Sequence, residues 1–409
     1  MPRDAVLLFS TRILRLFGYG FVSVVFALYL AEIGFTESQT GLLLTFALAG
    51  DAVISLLITT QADRIGRKRM LMLGALLVAG TGIVFAISRD FLVLTLTAVL
   101  GVLSPSGGEI GPFLSLEQSA LTQTVGDNRR TRVFAWYNLA GSFSTALGAL
   151  FGGALPQVLQ SMGFSAPDSF RAVLIGYAGI GFVLLALFSF LSPAAEVQKP
   201  AQVSGSRIGL HRSGGIVLRL SALFAMDAFA GGFIVQSLLA YWFHLRFGMD
   251  SAVLGALFFG ANILAGISAL SAARIAARFG LINTMVFTHI PSNVLLILVP
   301  LMPTAWLAAG LLLIRYSISQ MDVPTRQSYT MAVVTPEERS AAAGITTIAR
   351  SVGAAVSPSL SGQLMAVAAT MSFPFFLAGG LKIVYDLALY FSFRSLKPPE
   401  EKKTPEPKR

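Results

Sequence analysis

The sequence predicts an all-α membrane protein of twelve transmembrane helices, arranged as two six-helix repeats running in parallel. Three observations carry this. The chain has 409 residues, is 55% hydrophobic with a mean hydropathy of +0.73, and is only 12% charged. An ordinary soluble domain is about a quarter charged. Its apolar residues fall into runs of membrane-crossing length, about 20 residues of helix. Short charged turns separate these runs, the densest being Ala62-Asp63-Arg64-Ile65-Gly66-Arg67-Lys68-Arg69, in which five of eight residues are ionised.

The spans follow in order. Span 1 is expected over Ala5–Ala31 and span 2 over Thr40–Gln61, followed by the charged turn. Span 3 covers Met70–Ser88, bounded by Arg69 and Arg89. Span 4 runs from Phe91 to Leu121 and is interrupted by Ser104-Pro105-Ser106-Gly107-Gly108. Pro and Gly there break the helix and free backbone groups that must find partners. A second basic turn, Thr124–Arg132, precedes span 5 (Val133–Leu155) and span 6 (Ala172–Leu191). Spans 7 to 12 are expected over Ile216–Trp242, Ser251–Ala273, Leu281–Leu301, Thr304–Thr330, Ala341–Ala366 and Phe373–Phe393. The domain division expected is therefore an N-terminal bundle over 1–192, a polar cytoplasmic linker over 193–215, a C-terminal bundle over 216–394 and a disordered cytoplasmic tail over 395–409.

Charge sets the expected orientation. The net charge is +10. Most Lys and Arg fall in the turns after spans 2, 4, 8 and 10, in the linker and in the tail, which places both termini in the cytoplasm. Read this way, the basic excess is a topology signal and no nucleic-acid partner is expected. The absence of Cys removes disulfides and thiol chemistry. The first apolar run carries Arg12 and Arg15 and is read as a spanning helix, not a cleavable leader.

The halves are copies. Ala62-Asp63-Arg64-Ile65 is echoed by Ala272-Ala273-Arg274-Ile275, and Gly50 by Gly260, at an offset of 274 − 64 = 210. Glu117-Gln118-Ser119 falls on Arg326-Gln327-Ser328, and Arg130 on Arg339, at an offset of 326 − 117 = 209. Parallel repeats of this kind build transporters.

These features resemble the major facilitator superfamily over essentially the whole length. The turn after span 2 is similar to that family's signature Gly-x-x-x-Asp-Arg-x-Gly-Arg-Arg/Lys-Arg/Lys. Asp63, Arg64, Gly66, Arg67 and Lys68 match it, and Thr59 replaces the leading Gly. In span 5, Gly148, Gly152 and Gly153 match the antiporter pattern Gly-x-x-x-Gly-Pro-x-x-Gly-Gly, with Ser144 and Ala149 in place of Gly and Pro. Its repeat in span 11 keeps Pro358. The mid-span-4 Arg of many drug/proton antiporters is absent, and Glu109 stands there. The end of span 4, Pro112 to Glu117, is similar to a sugar-porter ending. The resemblance implies a proton-coupled transporter working by alternating access.

Charges at membrane depth are costly and mark candidate sites. Asp227, Glu109 and Asp51 are the proton-coupling candidates. Asp227 leads, because Met226-Asp-Ala-Phe-Ala-Gly-Gly offers it no local cation. The alternative for Asp51 is a fixed pair with Arg15. Arg15, Arg315, Tyr19 and Asp322 are the substrate-cavity candidates, the two arginines suiting a carboxylate or phosphate. Asp63, Arg64, Gly66, Arg67, Glu117, Arg130, Arg326 and Arg350 are the expected cytoplasmic gate, closing by salt bridges in the outward-open state. His244 and His289 have no metal-spaced partners and are read as structural. Neither metal nor cofactor is expected.

The partners expected are a small-molecule substrate, protons and the lipid bilayer, with the chain a monomer in the cell inner membrane. Efflux of an amphipathic organic compound by antiport is preferred to uptake of an anionic metabolite by symport. A non-transporting receptor or scaffold is the alternative of another class. An enzyme is not expected, since no nucleophile, zinc or phosphate-loop motif is present.

Overall fold

A computed structural model describes residues 3–109, 111–124, 127–193, 196, 213–335 and 338–396. Most of the expected linker and tail lie outside this set, as do the side chains of Asp63 and Arg130. The described residues are helical, without strands. Among the described residues nine spans are long and apolar enough to cross a membrane: 1, 2, 3, 5, 6, 7, 8, 9 and 12 in the order expected. The other three are the interrupted spans 4 and 10 and the more polar span 11, Arg339–Met365. Together they make the twelve-span, two-repeat architecture.

Three spans expected to be continuous are broken. Span 1 runs Arg3–Ser23 and Phe26–Glu32. Ser23 Oγ bonds back to Gly20 O at 3.0 Å, a local bond that competes with helix propagation. Span 7 runs Gly214–Gly232 and Gln236–Phe247, parting just after the poor helix formers Gly231 and Gly232. Span 10 runs Ala305–Ile318 and Asp322–Val333. Pro324 lacks the N–H and crowds the carbonyl four residues back, at Gln320. Span 4 breaks as expected but more widely, between Phe91–Leu100 and Phe113–Thr124. Span 2 (Glu37–Ile65), span 3 (Arg67–Ile87), span 6 (Ala166–Ser189), span 9 (Leu281–Leu298) and span 12 (Phe373–Phe393) follow their apolar runs. Span 5 extends well past expectation, over Asp127–Ser161, and span 8 over Ser251–Phe279.

Two compact units emerge. The first joins Met1–Gln202 with Val235–Ile263 and Pro358–Met371; the second joins Val203–Ile234, Leu264–Ser357 and Ser372–Arg409. Within the first unit, spans 1 and 5 pack backbone to backbone. A methyl group on Gly148 would stand 2.0 Å from Phe17 O, one on Gly152 2.0 Å from Phe21 O, and one on Gly20 2.1 Å from Thr145 O. No Cβ fits at those distances. The span 5 glycines are thus a packing surface, as small residues are between helices in lipid. Gly153 meets Gly255 of span 8 in the same way, and Gly41 of span 2 meets Gly362 of span 11. The second unit packs spans 7, 9, 10 and 12 around Leu220, Phe224, Met285, Val286, Tyr329, Tyr385 and Leu389.

Gly148→Ala is expected to push spans 1 and 5 apart, at a cost of about 1–3 kcal/mol or more, and to lower the folded yield in detergent. Gly80→Ala, where nothing lies within 4 Å of the added methyl, should leave the yield unchanged. Fluorescence-detected size exclusion of both variants checks this.

Candidate functional site

Four polar constructions stand inside the two units. The first is an ion cluster on spans 1, 4 and 5. The Arg15 guanidinium grips Glu117 with both forks, Nη1 at 2.8 Å from Oε1 and Nη2 at 3.0 Å from Oε2. Its Nη2 also donates to Glu109 Oε1 at 2.7 Å. Arg12 Nη1 reaches the other Glu109 oxygen at 2.7 Å and its Nε donates to Tyr137 O at 2.9 Å. Thr11 and Tyr137 hydroxyls donate to Glu117. Gly141 leaves room for Arg12, since a Cβ there would lie 2.8 Å from Arg12 Nε. Two guanidinium groups thus meet two carboxylates.

The second is a cluster on spans 7, 10, 11 and 12. Lys382 Nζ lies 2.5 Å from Asp227 Oδ1. Arg326 and Arg350 approach Asp227 Oδ2 at 3.2 and 3.1 Å. Arg326 also pairs with Asp322 one turn before it, at 2.9 Å. Beside this, His289 Nδ1 lies 2.8 Å from Asp386 Oδ1, and Asn293 donates to Asp386 Oδ2 at 3.0 Å.

The repeat is visible here with its charges exchanged. Span 1 supplies the cation and span 4 the acid in the first unit; span 7 supplies the acid and span 10 the cation in the second. Glu117 and Arg326, which the sequence repeat superimposes, occupy the matching places.

The third construction ties three helix breaks together within the first unit. The Ser237 hydroxyl, with one hydrogen to donate, lies 2.8 Å from Ser23 O and 2.7 Å from Pro105 O, and Ser237 N donates to Pro105 O at 3.0 Å. Gln236 Nε2 donates to Ser23 Oγ at 2.8 Å, and Asn262 Nδ2 to Gln236 Oε1 at 3.2 Å. The freed carbonyls of spans 1 and 4 are thereby satisfied by side chains, as a low-dielectric setting requires.

The fourth is the charged turn. Gly66 has φ +106°, a backbone that favours glycine. The Glu196 carboxylate accepts the N–H groups of Arg67 at 2.7 Å and Lys68 at 3.1 Å. That places an anion on the N-terminus of span 3, where the helix dipole favours it. Lys68 Nζ donates to Leu191 O at 2.9 Å. Arg64 is exposed. Thr59, in place of the signature Gly, satisfies its hydroxyl on Ser55 O at 2.6 Å.

Several expectations change. Asp227 is not without a cation, because three converge on it from spans that sequence distance concealed. Glu117, Arg326 and Arg350 are not free gate residues; each is paired inside its own bundle. Asp51 does not pair with Arg15, which is committed to the two glutamates. It accepts Gly111 N–H at 2.7 Å and Ser55 Oγ at 3.4 Å, and meets no cation among the described residues. Arg15 and Tyr19 are buried at 1% and 0% exposure and Asp322 is paired, so none of the three presents a free group to a substrate. Arg315 is buried in span 10 without a carboxylate partner among the described residues. His289 is an acid's partner, as a structural His would be. Lys382 and Asp386 were missed; as charges in the apolar run Phe373–Phe393, the depth rule that found Asp227 would have found them.

Paired parallel bundles with ionised interiors and broken spans at membrane depth define a polytopic membrane transporter. The sequence profile of the Major Facilitator Superfamily matches residues 8–358. The chain belongs to that family. It is 29% identical over 423 residues to the uncharacterized membrane protein YJR124C of Saccharomyces cerevisiae, covering 96% of this chain and 94% of that protein. It is 26% identical over 164 residues to the quinolone resistance protein NorA of Staphylococcus aureus, spanning 40% of this chain and 41% of NorA. The fold matches the crystal structure of a D-xylose-proton symporter with a TM-score of 0.77 at 14% identity, covering 98% of this chain and 99% of that one.

Glu117→Leu strands part of the Arg15 guanidinium in a buried setting, and is expected to lower stability by about 3–5 kcal/mol. The double variant Arg15→Met/Glu117→Leu should recover part of this loss. Thermal unfolding in detergent measures both.

Proposed function

We propose that this chain is a proton-coupled transporter that works by alternating access and exports small amphipathic organic compounds in exchange for protons. The observation that carries the coupling is the setting of Asp51. Protonating Asp227 would take the carboxylate from Lys382 and Arg350, and protonating Glu117 would take the two-pronged partner from Arg15. Protonating Asp51 strands no cation among the described residues, so its charge can change without dismantling the bundle. A carboxyl of this kind at membrane depth is what a proton carrier needs. Glu109 is the second candidate, because when it is neutral Arg15 keeps Glu117 and Arg12 keeps Tyr137 O and Asn138 Oδ1 as acceptors. The likeness of 40% of the chain to a quinolone resistance protein is consistent with export of an organic compound, which is one way to confer resistance. The basic turns support an orientation with both termini in the cytoplasm.

The polar knot at Ser23, Pro105, Gln236 and Ser237 supports alternating access. It joins first-half and second-half breaks through a handful of hydrogen bonds, each worth about 0.5–1.5 kcal/mol. Contacts of that size can open within a transport cycle.

Uptake of an anion together with a proton is the second reading, favoured by the unneutralised guanidinium of Arg315. Proteoliposomes with a pH dye inside separate the two. A transported compound added outside alkalinises the lumen under antiport and acidifies it under symport. In either case Asp51→Asn is expected to lose compound-driven proton movement while retaining exchange of compound for compound. Proton flux at the wild-type rate in that variant contradicts the assignment.

A further inference from the structure

Among the described residues the second unit sets the cations Arg315, Arg326, Arg350 and Lys382 near the carboxylates Asp227, Asp322 and Asp386, with Glu338 buried elsewhere in the same unit. Three of the cations have a carboxylate oxygen within 3.2 Å. Arg315 has none among the described residues. Its guanidinium meets the neighbouring Tyr316, whose ring centre lies 5.1 Å from the guanidinium carbon and whose side chain is its hydrogen-bond partner, while its Nε is buried without a partner. The carboxylates that act on it through space, Asp322 and Asp227, are already bonded to Arg326, Arg350 and Lys382.

One helical turn further on stands Ser319. Its backbone is still right-handed helical, with φ −80° and ψ −17°, so its side chain shares a face with that of Arg315. It is 3% exposed, and its Oγ also has no hydrogen-bond partner. The helix parts immediately after it: the next N–H, of Gln320, is held by Ser268 Oγ of span 8 at 3.2 Å. The buried Arg315 Nε and the buried Ser319 hydroxyl, neither with a hydrogen-bond partner, therefore sit one helical turn apart at a break in span 10.

We propose that Arg315 and Ser319 form the recognition site for a carboxylate on the transported compound. A guanidinium matches a carboxylate with two parallel N–H···O bonds, and the Ser319 hydroxyl supplies a further donor. The incoming anion neutralises a guanidinium that no carboxylate meets among the described residues. The compound is thus amphipathic with an acidic end, which names the substrate class within the transport function proposed above and rests on that function.

The test uses the purified full chain in detergent with three probes that share one ring: benzoate, benzyl alcohol and benzylamine. Benzoate is expected to raise the unfolding midpoint, the alcohol and the amine to leave it unchanged. Arg315→Gln should weaken the benzoate effect at least about tenfold in half-saturating concentration. Arg315→Lys should restore part of it, and Ser319→Ala should weaken it less than Arg315→Gln. Ser319→Ala also serves if Arg315→Gln fails to fold. No shift by benzoate, an equal shift by benzylamine, or wild-type benzoate binding in both Arg315→Gln and Ser319→Ala overturns the proposal. The measurement needs no proton gradient. Its failure leaves coupling through Asp51 standing, and loss of coupling leaves this site standing.

Discussion

An ionised group carried to membrane depth must meet an opposite charge there, since the surrounding hydrocarbon neither solvates nor screens it. That constraint organises both bundles. In the first unit, Arg12 and Arg15 on span 1 are answered by Glu109 and Glu117 on span 4. In the second, Asp227 on span 7 draws cations from spans 10, 11 and 12. Each cluster ties helices that are distant in sequence, so removing one member disturbs several spans together. Among the described residues Asp51 in the first unit stands outside the clusters without a cation, and Arg315 in the second stands outside them without a carboxylate. A transport cycle can change charge at those two places without dissolving the scaffold.

Close packing and helix breaks follow the same division of labour. Gly20, Gly148 and Gly152 let spans 1 and 5 touch through their backbones, which holds the first bundle rigid. The breaks at Ser23, Pro105 and Gln236 lie elsewhere along the spans, where side-chain hydrogen bonds replace helical ones. Rigid contacts made by glycine have no alternative partners. Hydrogen bonds made by Ser237 and Gln236 do, and water can take their place.

The sequence made the architecture legible because bilayer crossing imposes a length and a composition. Spans 3, 9 and 12 fall close to their apolar runs, and the break in span 4 was announced by Pro105 and two glycines. The breaks in spans 1, 7 and 10 were less visible, since Ser23, Gly232 and Pro324 each occur in continuous helices too. Most site residues were found by depth, but their partners were not. Which faces of spans 7, 11 and 12 converge depends on the rotation of each helix about its axis, and no local pattern encodes it. Asp227 was read as solitary for that reason, although Lys382 is its nearest cation. The charge exchange between halves was written in the sequence as Glu117 against Arg326, and acquired a meaning only once Arg15 and Asp227 were seen beside them.

The central claim is that the interior charges are neutralised in fixed clusters, and that Asp51 is the carboxyl free to change protonation. Infrared difference spectroscopy of the protein in lipid, recorded across a pH step, reads buried carboxyl groups directly through their protonated C=O band. The account predicts a protonation band that disappears in Asp51→Asn and persists in Asp227→Asn. A band that survives Asp51→Asn and vanishes in Asp227→Asn would contradict it.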